Sequence, residues 1–103
     1  MSQTATASFS PVVAADAVSY RTSTWTYTPG GTGTPVVTVN QLPPSAISDT
    51  LPNINPGDVV AVYLVDTNVV GPSAQSNTVT ATDPTPPPTA VPTTPTVNAI
   101  TFA

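Results

Sequence analysis

The 103-residue chain carries one Arg (Arg21) and five Asp, a net charge of -4, and has no Lys, His, Glu or Cys. That inventory excludes phosphate neutralisation on nucleic acid, disulfides, thiolate metal sites and any His-based nucleophilic catalysis. Thr, Val, Pro and Ser dominate; Thr and Val favour pleated surfaces over helices, and Pro and Gly punctuate turns, so the predicted fold class is all-β.

Residues 1–15 read as an N-terminal arm, in which Ala5, Ala7 and Phe9 alternate with Thr4, Thr6 and Ser8 until Pro11 interrupts. A domain is expected over 16–83. Its first stretch, DAVSYRTSTWTYT at 16–28, places Val18 and Tyr20 on even positions but Trp25 and Tyr27 on odd ones. One strand face cannot hold all four, which predicts a bulge near Arg21–Ser23 or two short strands meeting there. PGGTGTP at 29–35 is a loop, and VVTVNQL at 36–42 is a strand closed by Pro43-Pro44. AISDTLPNI at 46–54 puts Ile47 and Leu51 on one parity, with Pro52 confining it to an edge or a strand end. NPGD at 55–58 is a turn in which Pro presets φ and Gly takes the positive-φ position.

Residues 58–68 are apolar on both faces, Val60, Val62 and Leu64 on one and Val59, Ala61, Tyr63 and Val65 on the other. This predicts the most buried strand, central in its sheet. VVGPSAQS connects it to a last strand, Asn77 to Thr82, with Val79 and Ala81 inward. The predicted core is Trp25, Val37 or Val39, Ile47, Leu51, Ile54, Val60, Val62, Leu64 and Val79.

Residues 84–103 form a tail of different composition. DPTPPPTAVPTTP at 83–95 holds six Pro in thirteen residues, which predicts an extended polyproline II spacer. At about 3.1 Å per residue it spans roughly 40 Å. The chain then turns apolar again at Val97, Ile100 and Phe102. These three residues are candidates for partner binding, by adding a strand to a neighbour's sheet edge. Two other readings stay open: the tail folds back on its own domain, or TVNAITFA is the first strand of a following module.

The stretch NINPGDVVAVYLVDTNVVGPSAQSNTVTAT resembles the C-terminal half of a fibronectin type III or immunoglobulin-like domain. The shared features are Ile54, the Pro56-Gly57 turn, the Val60–Leu64 strand, Asn68, Gly71 with Ser73, and the final Ser76–Thr82 strand. Trp25 matches the core Trp, and the TYTPG after it is similar to the family's W-x-x-P step. The resemblance implies an antiparallel β-sandwich and no particular activity. One position departs from the pattern. Val60 stands where the family usually has its corner Tyr, so the corner hydrogen bond is not expected.

Candidate sites are few. The five Asp, at 16, 49, 58, 66 and 83, fall near predicted turns or strand ends, where Asp commonly terminates strands and solubilises loops. Asp66-Thr67-Asn68 offers oxygen ligands, but too few for a Ca²⁺ site of about six to eight oxygens. Arg21 is the one side-chain cation. It is either a partner anchor or, more ordinarily, the local mate of an Asp. Trp25, Tyr20, Tyr27 and Tyr63 are either a sugar-stacking platform or core and edge cover, of which cover is the commoner role. No catalytic residue, metal site or cofactor is expected.

No run approaches about 18 consecutive apolar residues, so no transmembrane helix is predicted. The N-terminus has neither a basic n-region nor a long apolar h-region, so no classical secretory signal is expected. A small, Lys-free β chain without such a signal suits a virion protein made in the host cytoplasm, ahead of a fragment with an added Met or a chain exported by a pathway that reads no N-terminal signal. The leading expectation is a non-enzymatic structural protein, a phage capsid decoration or auxiliary protein, held to capsid or other virion neighbours by its terminal arms, with self-association as a further expectation. The alternative is a receptor- or carbohydrate-binding Ig-like module of a phage fibre or bacterial surface adhesin, using the loops at 29–34 and 66–76.

Overall fold

The computed structural model describes residues 2–84 and 94–102. Six strands follow one another: β1 (Gln3–Ser8), β2 (Tyr20–Thr28), β3 (Val36–Leu42), β4 (Ser48–Ile54), β5 (Val59–Thr67) and β6 (Val79–Thr82). Short 3-10 turns lie at Ala14–Asp16 and Pro29–Gly31. Among the described residues there is no α-helix. The strands form two antiparallel sheets, one of two strands in the order β1-β4 and one of four in the order β3-β2-β5-β6. The expected all-β, antiparallel architecture is present.

The two sheets meet over a small core. Trp25, Val60 and Val62 from the four-stranded sheet and Ile54 from β4 are buried, and Ala5, Ala7, Leu51 and Tyr27 pack against them. Pairing fixes which residues share the inner face. On β2 these are Arg21, Ser23, Trp25 and Tyr27, matched by Leu42, Asn40, Thr38 and Val36 on β3. On β5 the matches are Asp66, Leu64, Val62 and Val60. As predicted, β5 is interior to its sheet, with β2 on one side and β6 on the other.

Several expectations are corrected. The segment 1–15, expected as an N-terminal arm outside the 16–83 domain, includes β1, which pairs along β4 and packs Ala5 and Ala7 against the core. Small Ala and Thr side chains gave that strand too weak an apolar signal to mark it as part of the domain. β2 has no bulge, because its pairing with β3 and β5 runs without a shift from end to end. Tyr20 lies on the outer face, and the inner face is continued past Trp25 by polar Ser23 and Arg21. That substitution of polar for apolar residues disguised the strand's parity.

The same effect inverted β3. Its inner face carries Thr38 and Asn40, while Val37 and Val39 point outward, each 61% exposed. Ile47 lies just before β4 and is also exposed. The bulge occurs in β4 instead. Between Gln3↔Ile54 and Ala5↔Leu51 the register slips by one residue, and Asn53 takes φ 66°. Asn is among the few non-Gly residues that adopt this left-handed conformation readily. The slip lets Leu51, odd, and Ile54, even, both reach the core. The NPGD turn forms as predicted, with Asp58 N–H donating to the Asn55 carbonyl at 3.0 Å and Gly57 at φ 89°.

The register makes a direct prediction. Val39→Thr changes unfolding free energy by less than about 0.5 kcal/mol, as surface substitutions do. Val62→Ala costs about 2 kcal/mol through lost burial and a residual cavity. Urea denaturation of the two variants checks the order, and the opposite order would mean that β3 presents its other face.

Candidate functional site

The buried polar groups of the inner face cross-brace the fold. The Asp49 carboxylate on β4 accepts hydrogen bonds from the Ser23 hydroxyl, from Trp25 Nε1 at 2.8 Å and from Asn40 Nδ2 at 2.9 Å. One carboxylate thus ties the two-stranded sheet to β2 and β3. Burial by itself would raise the Asp49 carboxyl, but the bonds from Ser23, Asn40, Trp25 and the Thr50 backbone together hold it below its ordinary value. Asp58, at the start of β5, accepts from Gly30 N–H at 2.8 Å, Tyr27 O–H at 2.7 Å and Asn55 N–H at 2.8 Å. The Gly30 N–H, followed by Tyr27 and Asn55, lowers its pKa, and the bond to Asp58 raises that of Tyr27. Tyr27 therefore supplies a side-chain tie to the turn, in a chain whose corner position holds Val60.

Arg21 is 4% exposed. Its Nε donates to Asp66 at 2.9 Å, and its Nη1 donates to the Ser10 and Ala46 carbonyls at 2.8 and 2.9 Å. The guanidinium also lies 5.7 Å from the Phe9 ring centroid. Every one of these partners lies in the same chain, which is the local pairing with an Asp that was one of the two readings of Arg21. The four aromatics do not converge either. Trp25 and Tyr27 lie on the inner face of the four-stranded sheet, whereas Tyr20 and Tyr63 lie on its outer face. Among the described residues no group of three or more His, Cys, Asp or Glu is placed to hold a metal ion.

What the fold leaves open is a groove. A two-stranded sheet cannot cover a four-stranded one. β4 lies over β2 and β3, as the Asp49 bonds show, and β1 packs Ala5 and Ala7 toward the core that holds Val60 and Val62 of β5, so the β6 side of the inner face is left exposed. The resulting groove has a volume of about 740 Å³ and runs along every residue from Gln3 to Ser10. Its apolar floor includes Val60, Val62, Leu64, Val79 and Ala81. Val79 points inward, as predicted, yet is 57% exposed because nothing lies above it. Arg21 and Asp66 mark one end, and Gln3 with Asp83 the other.

The far wall is a frayed strand. Before β6, Ser73 and Ser76 donate their N–H groups to the Asp66 and Leu64 carbonyls. Their hydroxyls accept the N–H groups of Asp66 and Leu64 in return. Serine side chains here stand in for the backbone ladder. At the near wall, β1 pairs only with β4 among the described residues. Phe9 N–H donates toward Ile47. By the two-residue period of a strand, the backbone groups of Thr4, Thr6 and Ser8 therefore point away from β4, along the groove.

The tail candidates Val97, Ile100 and Phe102 are 86, 81 and 95% exposed and belong to no strand. Most of the predicted polyproline spacer, at 85–93, lies outside the described residues. Sequence reasoning missed the groove, because it arises from a mismatch in strand number between two sheets and no local pattern encodes that. Comparison with known proteins finds no family, no curated protein and no solved structure that matches this chain.

The two braced carboxylates set the acid response. Asp49 and Asp58 ionise more readily folded than unfolded, so the unfolded chain binds more protons as pH falls. Their stabilisation is complete above the ordinary carboxylate value near 3.9 and is lost as pH falls through their lower folded values. Thermal unfolding should thus show a midpoint nearly level from about pH 7 to about pH 5, then falling. Asp49→Ala leaves three donors without their acceptor and costs about 2–3 kcal/mol at neutral pH. In that variant the acid limb is shallower.

Proposed function

We propose that the chain is a non-enzymatic structural module of the immunoglobulin or fibronectin III type that works by joining protein subunits in a multi-copy assembly, as a decoration or auxiliary protein of a virus capsid does. The supporting observation is the β1 edge. Of the six residues of β1, Thr4, Thr6 and Ser8 turn their backbone groups away from β4, beside an apolar groove. Soluble β proteins normally cover or charge such an edge, since it invites pairing with another chain. Here the edge carries Thr and Ser and no charge. The chain's buried Arg and Asp are engaged in internal hydrogen bonds, and no buried side-chain polar atom among the described residues lacks a partner.

The sugar-binding alternative draws less support, because the inward Trp25 and the split aromatics leave no stacking platform. A virion setting accords with a compact β module that has no catalytic inventory, and it implies release from the host cytoplasm with the particle.

Quantitative mass spectrometry of purified particles tests this reading. Copies in the hundreds and in fixed ratio to a shell protein are expected. Absence from particles, with the peptides recovered from cell surfaces, would overturn the capsid role and favour an adhesin.

A further inference from the structure

We infer that the groove along β1 is filled by residues 94–102 of a second copy of this chain, which add a strand to the β1 edge. This rests on the assembly reading above and names the partner and the seat. Acceptor and donor match in several respects. The acceptor is a six-residue strand whose outward backbone groups, on Thr4, Thr6 and Ser8, can pair with another strand. The donor is the nine-residue segment TPTVNAITF, 94–102, which belongs to no strand and whose large apolar side chains stand in solvent. In an extended donor, Ile100 and Phe102 share one face and Val97 and Ala99 the other. The first face enters the groove over Leu64, Val79 and Ala81. The second continues the outer surface of the two-stranded sheet.

Two features favour a second copy over the donor's own chain. The spacer at 84–93 holds five Pro in ten residues, a composition suited to a stiff extended connection and ill suited to the reversal that would bring the tail back beside β6. The entrance where the chain leaves β6 is also occupied. Asp83 exchanges backbone hydrogen bonds with Gly57 and Asp58, and the Gln3 side chain faces its carboxylate. Charge does not oppose the contact, because 94–102 carries none. Docking buries the exposed Val79 and the donor's Ile100 and Phe102 together, and it satisfies an edge that would otherwise remain a site for indiscriminate pairing.

A complementation experiment on full-length chains tests the seat. One variant carries Ile100→Asp with Phe102→Asp, which disables the donor. The other carries Val79→Asp, which charges the groove at an exposed position and so spares the fold, as circular dichroism should verify. Sedimentation equilibrium should show the unmodified chain self-associating, and each variant about 100-fold weaker, since each loses burial of large apolar side chains. Mixing the two variants should restore a one-to-one complex, because each supplies the half that the other lacks.

A monomeric unmodified chain whose residues 94–102 are protected from hydrogen exchange would overturn the inference in favour of fold-back. A monomer with those residues unprotected would overturn strand donation altogether. Association that survives both variants would place the interface elsewhere. In each of these cases a fixed copy number on particles would leave the structural role standing, so the two proposals fail separately.

Discussion

The Asp49 carboxylate is the contact on which the rest of this structure turns. The apolar core is four buried side chains, too small to hold two sheets in a unique relation by packing alone. A single oxygen, Asp49 Oδ2, receives the hydroxyl of Ser23, the indole N–H of Trp25 and the amide of Asn40. Directional bonds of this kind fix the angle and offset of the two sheets where dispersion would leave them free to slide. Trp25 is held in place by the same carboxylate, so the largest core side chain and the main inter-sheet tie act as one unit. Because the donors come from β2 and β3, the two-stranded sheet is pinned over that half of its partner.

The open groove is the direct consequence. With β4 fixed above β2 and β3, β1 covers Val60 and Val62 of β5, and the inner face of β6 is left exposed. Among the described residues no buried side-chain polar atom lacks a partner, while Val79 on the inner face stays exposed. Such a division suits a module that depends on a neighbour, since binding adds stability by mass action to a fold that is marginal alone. The ladder between β5 and the 73–76 segment shows the same thrift. Serine hydroxyls complete it without adding side-chain bulk to the groove's far wall.

The five Asp illustrate how one residue type takes different roles by placement. Asp58 organises a turn by accepting from Tyr27 and two backbone N–H groups, Asp66 neutralises the buried Arg21, and Asp83 closes the end of β6 through its backbone. Asp49 joins β4 to both β2 and β3. Each was expected near a turn or strand end, and that is where they lie: Asp16 in the Ala14–Asp16 turn, Asp49 and Asp66 one residue inside the ends of β4 and β5, Asp58 just before β5 and Asp83 just after β6. Nothing in the sequence distinguishes the brace from the caps, because what marks the brace is the identity of side-chain donors 9 to 26 residues from Asp49.

The sequence by itself determined the all-β class, the NPGD turn, the central position of the Val59–Thr67 strand and the apolar end of the tail. These follow from side-chain branching, from the φ demands of Pro and Gly, and from a run apolar on both faces. Only the tertiary structure decided the inward parity of β2 and β3, the capture of β1 by β4, the burial of Arg21 and the existence of the groove. The inner face is polar at Arg21, Ser23, Asn40 and Asp49, and hydrophobic alternation cannot reveal a buried face whose residues are satisfied by hydrogen bonds to distant partners. The groove depends on how many strands lie in each layer and where they register. Long-range pairing fixes those quantities, and no local window of residues contains them.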